Sequence, residues 1–461
     1  MKLTDNFLRI FLLACFLIVS YDGISQELSV SHVKRFLVKK DGSPFFYLGD
    51  TAWELFHRLD REEADMYLAN RASKGFTVIQ AVVLAELDGL QAANPYGNVP
   101  LLDNDPLKPN EDYFNHVDYI VGKAASLGLM IGMLPTWGDK FNKKWGVGPE
   151  VFTPANAFEY GRFLGNRYKE APIIWILGGD RNPEDEEDLM IVREMARGLE
   201  TGDGGKHLMT YHPQGGNNSS QWFHNDDWLD FNFFQSGHGP RDAPNYEHTL
   251  LNYSLEPVKP AMDGEPRYED HPVRFKPMEY GWFSDFDVRQ AGYWSMFSGA
   301  CGHTYGNHNI WQMWQENRKP VSSARTNWRR ALDHSGAFQM GYMRAFFEAY
   351  PWQEMMPDQR LILNFNPRSG TYQMAMISKN RDIIFAYNPY GYPIRIDVAR
   401  MVSGKINAFW YNPRDGEYLF INSVDRTFDE EFVPQSSGRG SDWVLILQDA
   451  SKRYNEFTQI E

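Results

Sequence analysis

The chain has 461 residues and a formal charge of −14, a balance that implies no basic face for a phosphate backbone and so argues against a nucleic-acid partner. Aromatic residues make up 15% of it, with 14 Trp and 24 Tyr, a content that suits stacking on sugar rings and equally suits the burial of a large core. The length fits an α/β barrel plus a smaller module.

Lys2 and Arg9 precede an apolar run, 10–19, that is too short to span a bilayer, and Gly23 and Ser25 sit where a signal peptidase would cut before Gln26. Residues 1–25 are therefore read as a signal peptide, and the mature protein as exported, with the periplasm as its expected location and no membrane span. Leu12-Leu-Ala-Cys15 is similar to a lipoprotein box, but it lies close to Arg9 and the apolar run continues past it, so lipidation is not the favoured reading. Loss of the leader leaves only Cys301, and no intramolecular disulfide can form.

From there strand and helix patterns alternate. Strand 45–53 carries Asp50 and Trp53, and 60–74 has helical spacing. Strand 76–84 leads into a long polar loop at 86–110, more than a connection needs and so a candidate wall of a site. Helix 117–127, strand 129–135 and the segment Thr136-Trp-Gly-Asp-Lys-Phe-Asn-Lys-Lys-Trp145 follow. Then come helix 155–168, strand 173–180, helix 184–199, strand 208–213 ending Tyr211-His212, strand 230–238 with Gln235, strand 259–265, helix 287–299, strand 302–307 with Tyr305, and helix 331–350. Eight such alternations, without a phosphate-type glycine loop after the first strand, predict a (β/α)8 TIM barrel rather than an open sheet. Beyond about 361 the texture changes to short strand-like runs split by Asn-Pro, Asp-Gly and Ser-Gly turns. The expected domains are a barrel at 26–355 and a C-terminal all-β sandwich at 356–461. Trp410, Tyr411 and Trp443 lie inside strand-like runs, so the sandwich is expected to brace the barrel rather than to bind a ligand.

Two stretches share one design. Ile173-Ile-Trp-Ile-Leu-Gly-Gly-Asp180 and Lys259-Pro-Ala-Met-Asp-Gly-Glu265 are apolar runs that each deliver a carboxylate at the end. In a barrel that end faces the active site, and paired carboxylates there suit glycosidic bond cleavage. Asp50, Trp53, Trp137, Lys140, His212, Gln235 and Tyr305, at or just beyond other strand ends, are expected to hold substrate. Glu54, Glu86, Asp139 and Glu279 are further acids near strand ends, and Glu86 is the rival to Asp180. No His-Glu-x-x-His, Gly-x-Ser-x-Gly or Cys/His cluster is present. His303 and His308 lack a third ligand, so neither a metal nor another cofactor is expected.

At Leu48-Gly-Asp-Thr-Ala-Trp53, Ile176-Leu-Gly-Gly-Asp180 and Met262-Asp-Gly-Glu265 the sequence resembles the glycoside hydrolase family 140 apiosidases, over nearly the whole mature chain. Their barrel was once described as family-5-like or collagenase-like, and their C-terminal domain carries a collagen-binding label. The resemblance implies an exo-acting enzyme that removes apiose from side chains of the pectin rhamnogalacturonan II with retention, Asp180 serving as general acid/base and Glu265 as nucleophile. It departs from the wider clan in placing an Asp after Gly where a Glu after Asn is usual, so the sugar is expected to sit deeper. The segment 137–145 would then receive the rest of the substrate, with Lys140, Lys143 or Lys144 pairing a galacturonate carboxylate. Two alternatives stand beside this reading: an exo-glycosidase for arabinofuranose or rhamnose, and a non-catalytic glycan- or collagen-binding protein. The last would need no two acids converging on one pocket, and collagen binding is not expected.

Overall fold

The structure, a computed structural model, describes residues 27–454; the expected leader and Cys15 lie outside them. Eight short apolar segments form one parallel sheet: β1 (Tyr47–Thr51), β2 (Val78–Leu84), β3 (Met130–Thr136), β4 (Ile173–Gly178), β5 (Met209–His212), β6 (Asn232–Phe234), β7 (Ala261–Asp263) and β8 (Gly302–Tyr305). They pair in the order β5-β4-β3-β2-β1-β8-β7-β6. Every residue of these strands is buried, the signature of a sheet covered by helices outside and filled by side chains inside. The ring is completed at the β5/β6 seam. There the Asp230 amide donates to Met209 O (2.9 Å), the Thr210 hydroxyl donates to Phe231 O (2.7 Å), and the Asp230 carboxylate accepts the Met209 amide (2.8 Å).

The outer helices start where side chains can satisfy their free amides. Asp60 and Glu63 form a capping box at α1 (Arg61–Ser73), and Thr153 and Asn156 do the same at α2 (Pro154–Tyr168). Asp185 caps α3 (Glu186–Asp203). A helix at Asn245–Tyr253 fills the stretch between β6 and β7, which carries no clear helical pattern. The expected strand 45–53 splits in two. Phe45 belongs to a small antiparallel sheet with Leu28–Val30 and Leu37–Lys39, and only Tyr47–Thr51 enters the barrel.

After the barrel, β9 (Met355–Pro357), β10 (Met374–Ser378), β11 (Ile383–Asn388), β12 (Lys405–Tyr411), β13 (Tyr418–Asp425) and β14 (Trp443–Asp449) make one antiparallel sheet in the order β9-β10-β11-β14-β12-β13. Its residues alternate between two cores. Met376, Phe385, Tyr387 and Ile446 belong to the core shared with the barrel. Ala375, Ile384, Ala386 and Leu445 face a second core with Ile394, Val398 and Phe432. That outer layer is extended chain joined by the bridges Ile362–Ile396 and Ile394–Phe432 rather than a second full ladder. The barrel side is tightly joined: Tyr387 stacks on Tyr293 at 4.9 Å, Phe346 on Tyr411 at 4.7 Å, and Arg289 pairs with Asp442 at 2.7 Å. Among the described residues no helix is long and apolar enough to cross a membrane.

Candidate active site

Asp180 does not continue β4. The strand stops at Gly178, and Gly178, Gly179 and Asp180 all take left-handed backbone, with φ of 91°, 100° and 54°. A Cβ at Gly178 would lie 2.6 Å from His212 O, and one at Gly179 would lie 2.9 Å from Trp137 Cα. Only glycine fits both steps, and aspartate is among the few side chains that tolerate the third. The turn leaves the Asp180 amide donating to His212 Nδ1 (3.1 Å) while its Oδ2 accepts Trp145 Nε1–H (2.9 Å). It is not a helix cap, since that place belongs to Asp185.

Glu265 follows β7 by two residues. Each of its oxygens faces one imidazole: Oε2 lies 3.0 Å from His212 Nε2, and Oε1 lies 3.0 Å from His238 Nε2. Because His212 Nδ1 accepts the Asp180 amide, the neutral ring carries its proton on Nε2, toward Glu265. Its backbone is steadied from inside the barrel, where Gln80 of β2 donates to Gly264 O at 3.1 Å. His238 in turn stacks on His271, with centroids 4.1 Å apart.

The two acids are driven apart electrostatically. Burial, then the charge of Glu265, pushes Asp180 up to about 6. Burial acts on Glu265 in the same direction, but the hydrogen bonds from His212 and His238 overcome it and hold the carboxyl at about 2. One group is therefore a proton carrier and the other a carboxylate at the same pH.

Both line a cavity of about 500 Å³ with Trp53, Trp137, Trp145 and Gln235. Trp53 sits 5.3 Å from Trp137 and 5.4 Å from His212, ring to ring, making an aromatic wall. Buried polar atoms on this lining have no partner among the described residues, among them Trp137 Nε1 and Gln235 Oε1, as suits a site for a hydroxyl-rich ligand.

Three of the expected substrate ligands are elsewhere. Asp50 points outward from β1, bound to Arg71 (2.7 Å) and Tyr67 (2.6 Å) of α1. Tyr305, its register partner on β8, also points outward and donates to Glu269 at 2.6 Å. In a strand buried on both faces, alternate residues serve the interior and the helix layer, and these two fall on the wrong parity. Lys140 is fully buried, held by Asp139 (2.7 Å) and Ala85 O (3.1 Å), because a buried ammonium needs such partners. Lys144 pairs with Glu184, and Lys143 is exposed.

Of the other acids, Glu54 pairs with His57 and Glu279 lies beside Lys276, whereas Glu86 lines the cavity. His308 Nε2 is engaged with the carbonyls of Val321 (3.1 Å) and Ser322 (3.0 Å), and His303 is enclosed on β8. Among the described residues no group of three His, Cys, Asp or Glu side chains is placed to hold a metal. Trp145 lines the cavity from the segment 137–145 that was expected to receive substrate, whereas His238, Tyr268, His271 and Phe275 also line it and were not singled out as ligands from sequence. For His238 a signal existed, the polar run Gln235-Ser-Gly-His at a strand end; the others sit on loops without a pattern.

Comparison with family models matches residues 31–354 to "Apiosidase-like, catalytic domain" and residues 356–448 to "Putative collagen-binding domain of a collagenase". A solved structure described as a glycoside hydrolase is 33% identical, covering 94% of this chain and 98% of its own, with a TM-score of 0.85. Another, described as a glycoside hydrolase family 5 protein from Bacteroides vulgatus ATCC 8482, is 32% identical, covering 94% of this chain and 96% of its own, with a TM-score of 0.86. Comparison with curated proteins finds no match.

Proposed function

Since the chain belongs to the apiosidase-like family and is a glycoside hydrolase, we propose that it is an exo-acting retaining enzyme that removes apiose from the side chains of rhamnogalacturonan II. The observation that carries this reading is the convergence of Asp180 and Glu265 on one cavity, with His212 between them, an arrangement that burial and hydrogen bonding push toward opposite protonation.

In the first step the Glu265 carboxylate attacks the anomeric carbon and the bond to the leaving oxygen breaks, while Asp180 gives that oxygen its proton. The nucleophile is then an uncharged ester, so the charge that held Asp180 up is gone and its acidity rises. Asp180 can now take a proton from water as that water attacks the anomeric carbon, and the Glu265 carboxylate leaves. A cavity of about 500 Å³ walled by Trp53 and Trp137 has room for a small sugar and part of the group attached to it. The mature protein is proposed to do this in the periplasm, delivered by the leader at 1–25.

The test is incubation with rhamnogalacturonan II oligosaccharides, identification of the released sugar, and NMR of its first-formed anomer. Apiose released with retained configuration is expected. Release of arabinose or rhamnose instead would move the substrate assignment, and an inverted product would remove the nucleophile role from Glu265. Glu265→Gln should abolish turnover, and Asp180→Asn should slow poor leaving groups far more than activated ones.

A further inference from the structure

Asp139, Asp180 and Glu86 surround Arg181 on one side of the cavity, with Glu54 beside Glu86, and three of these four acids have partners. Glu54 has His57 at 2.8 Å and the Leu87 amide at 3.2 Å. Asp139 has Lys140 at 2.7 Å and the Gly148 amide at 2.8 Å. Asp180 has the Trp145 indole at 2.9 Å. Arg181 directs hydrogen bonds to the carbonyls of Asn142, Asp180 and Trp145 and makes none to the fourth acid. That acid is Glu86, two residues past β2. Among the described residues its carboxyl has no hydrogen bond and no ion pair, and it lines the same cavity as Asp180 and Trp145.

Glu86 is half-buried, and a carboxyl that faces a cavity without a protein partner is free to meet a ligand there. Burial, followed by the charges of Asp180, Glu54 and Asp139, raises Glu86 to about 8 against the opposite pull of Arg181. At neutral pH it therefore offers one O–H donor and one acceptor, and places no second negative charge beside Asp180.

Its position also selects which part of a substrate it meets. Glu86, Trp145 and Asp180 follow β2, β3 and β4, consecutive staves, whereas His238 and Tyr268 stand across the cavity after β6 and β7. In a retaining site the acid stands by the departing oxygen. We propose that Glu86 is a substrate-binding residue whose carboxyl hydrogen-bonds a hydroxyl of the leaving sugar. This rests on the reading of Asp180 as the acid.

The experiment compares two substrates with the same glycone. One is an oligosaccharide whose leaving group is a sugar, and the other is an aryl glycoside whose leaving group has no hydroxyls. Glu86→Ala should lower kcat/KM about 10- to 100-fold on the oligosaccharide and less than about threefold on the aryl glycoside. The aryl activity shows that the variant is folded. Glu86→Gln, which keeps a donor and an acceptor, should recover most of the loss. Equal losses on both substrates, or no loss on the oligosaccharide, would overturn the proposal. Azide separates it from the parent reading: rescue of Asp180→Ala supports Asp180 as the acid, whereas rescue of Glu86→Ala alone would transfer that role to Glu86 and overturn both.

Discussion

His212 stands against Glu265 with Nε2 3.0 Å from Oε2, while its other nitrogen accepts the amide of Asp180. One buried ring thus orients both acids. Replacing it by Phe removes a donor to the carboxylate and leaves the Asp180 amide unmet, so kcat/KM should fall about 10- to 100-fold. The Glu265 carboxyl should rise from its depressed position, moving the acid limb of the kcat/KM profile to higher pH. A profile unchanged in position would show that His212 only fills space.

Asp180 carries a stability signature as well. Its folded-state pKa is raised above the ordinary carboxylate value, so its contribution is fully present below the unfolded pKa and is lost as pH rises through about 6. Asp180→Asn lacks this loss. Its melting temperature should match wild type near pH 4 and exceed it near pH 7, by about 2 kcal/mol of stability. Parallel curves across that range would contradict the raised pKa.

Trp145 donates to Asp180 and thereby favours its ionised form. Trp145→Phe keeps a ring at the cavity mouth but removes the donor. The alkaline limb of activity should move to higher pH, with a modest rise in KM; a limb that moves down would reverse the sign argued here.

The C-terminal sheet should not be separable from the barrel. Arg289 and Asp442 are both buried at the join, with contacts of 2.7 and 3.1 Å. Asp442→Ala removes the buried carboxylate and leaves Arg289 with Asp285 and Gln339 as its side-chain partners, so it should cost about 1.5–3 kcal/mol in chemical denaturation. A chain ending after Tyr350 would expose Tyr293 and Phe346 and should aggregate. A soluble, active truncated barrel would refute the bracing role.

The barrel was legible because its strands are short apolar runs between helical patterns, and Ile173 to Gly178 could be placed by that texture alone. Which way a side chain points was not legible. A strand buried on both faces shows no polar alternation, so Asp50 and Tyr305 could not be assigned to the helix layer rather than the cavity. Lys140 misled for a related reason: a lysine in a polar loop reads as solvated, and only the fold brings Asp139 and the Ala85 carbonyl around it. Tyr268 and His271 lie in irregular segments whose course depends on contacts distant in sequence, and no local period marks them.

The reversed turn at Gly178-Gly179-Asp180 also bears on how such a site could change. The position of the acid there is set by backbone as much as by side-chain length. A glutamate at 180 would carry the carboxyl one carbon farther from a backbone held in place by His212 and Trp137, and would tolerate the left-handed conformation less well than aspartate. Straightening the turn to suit it would remove the reason for two glycines, but a Cβ at either one meets a neighbour while the turn remains. The three positions are therefore structurally coupled, and fitting a longer acid at 180 would require them to change together.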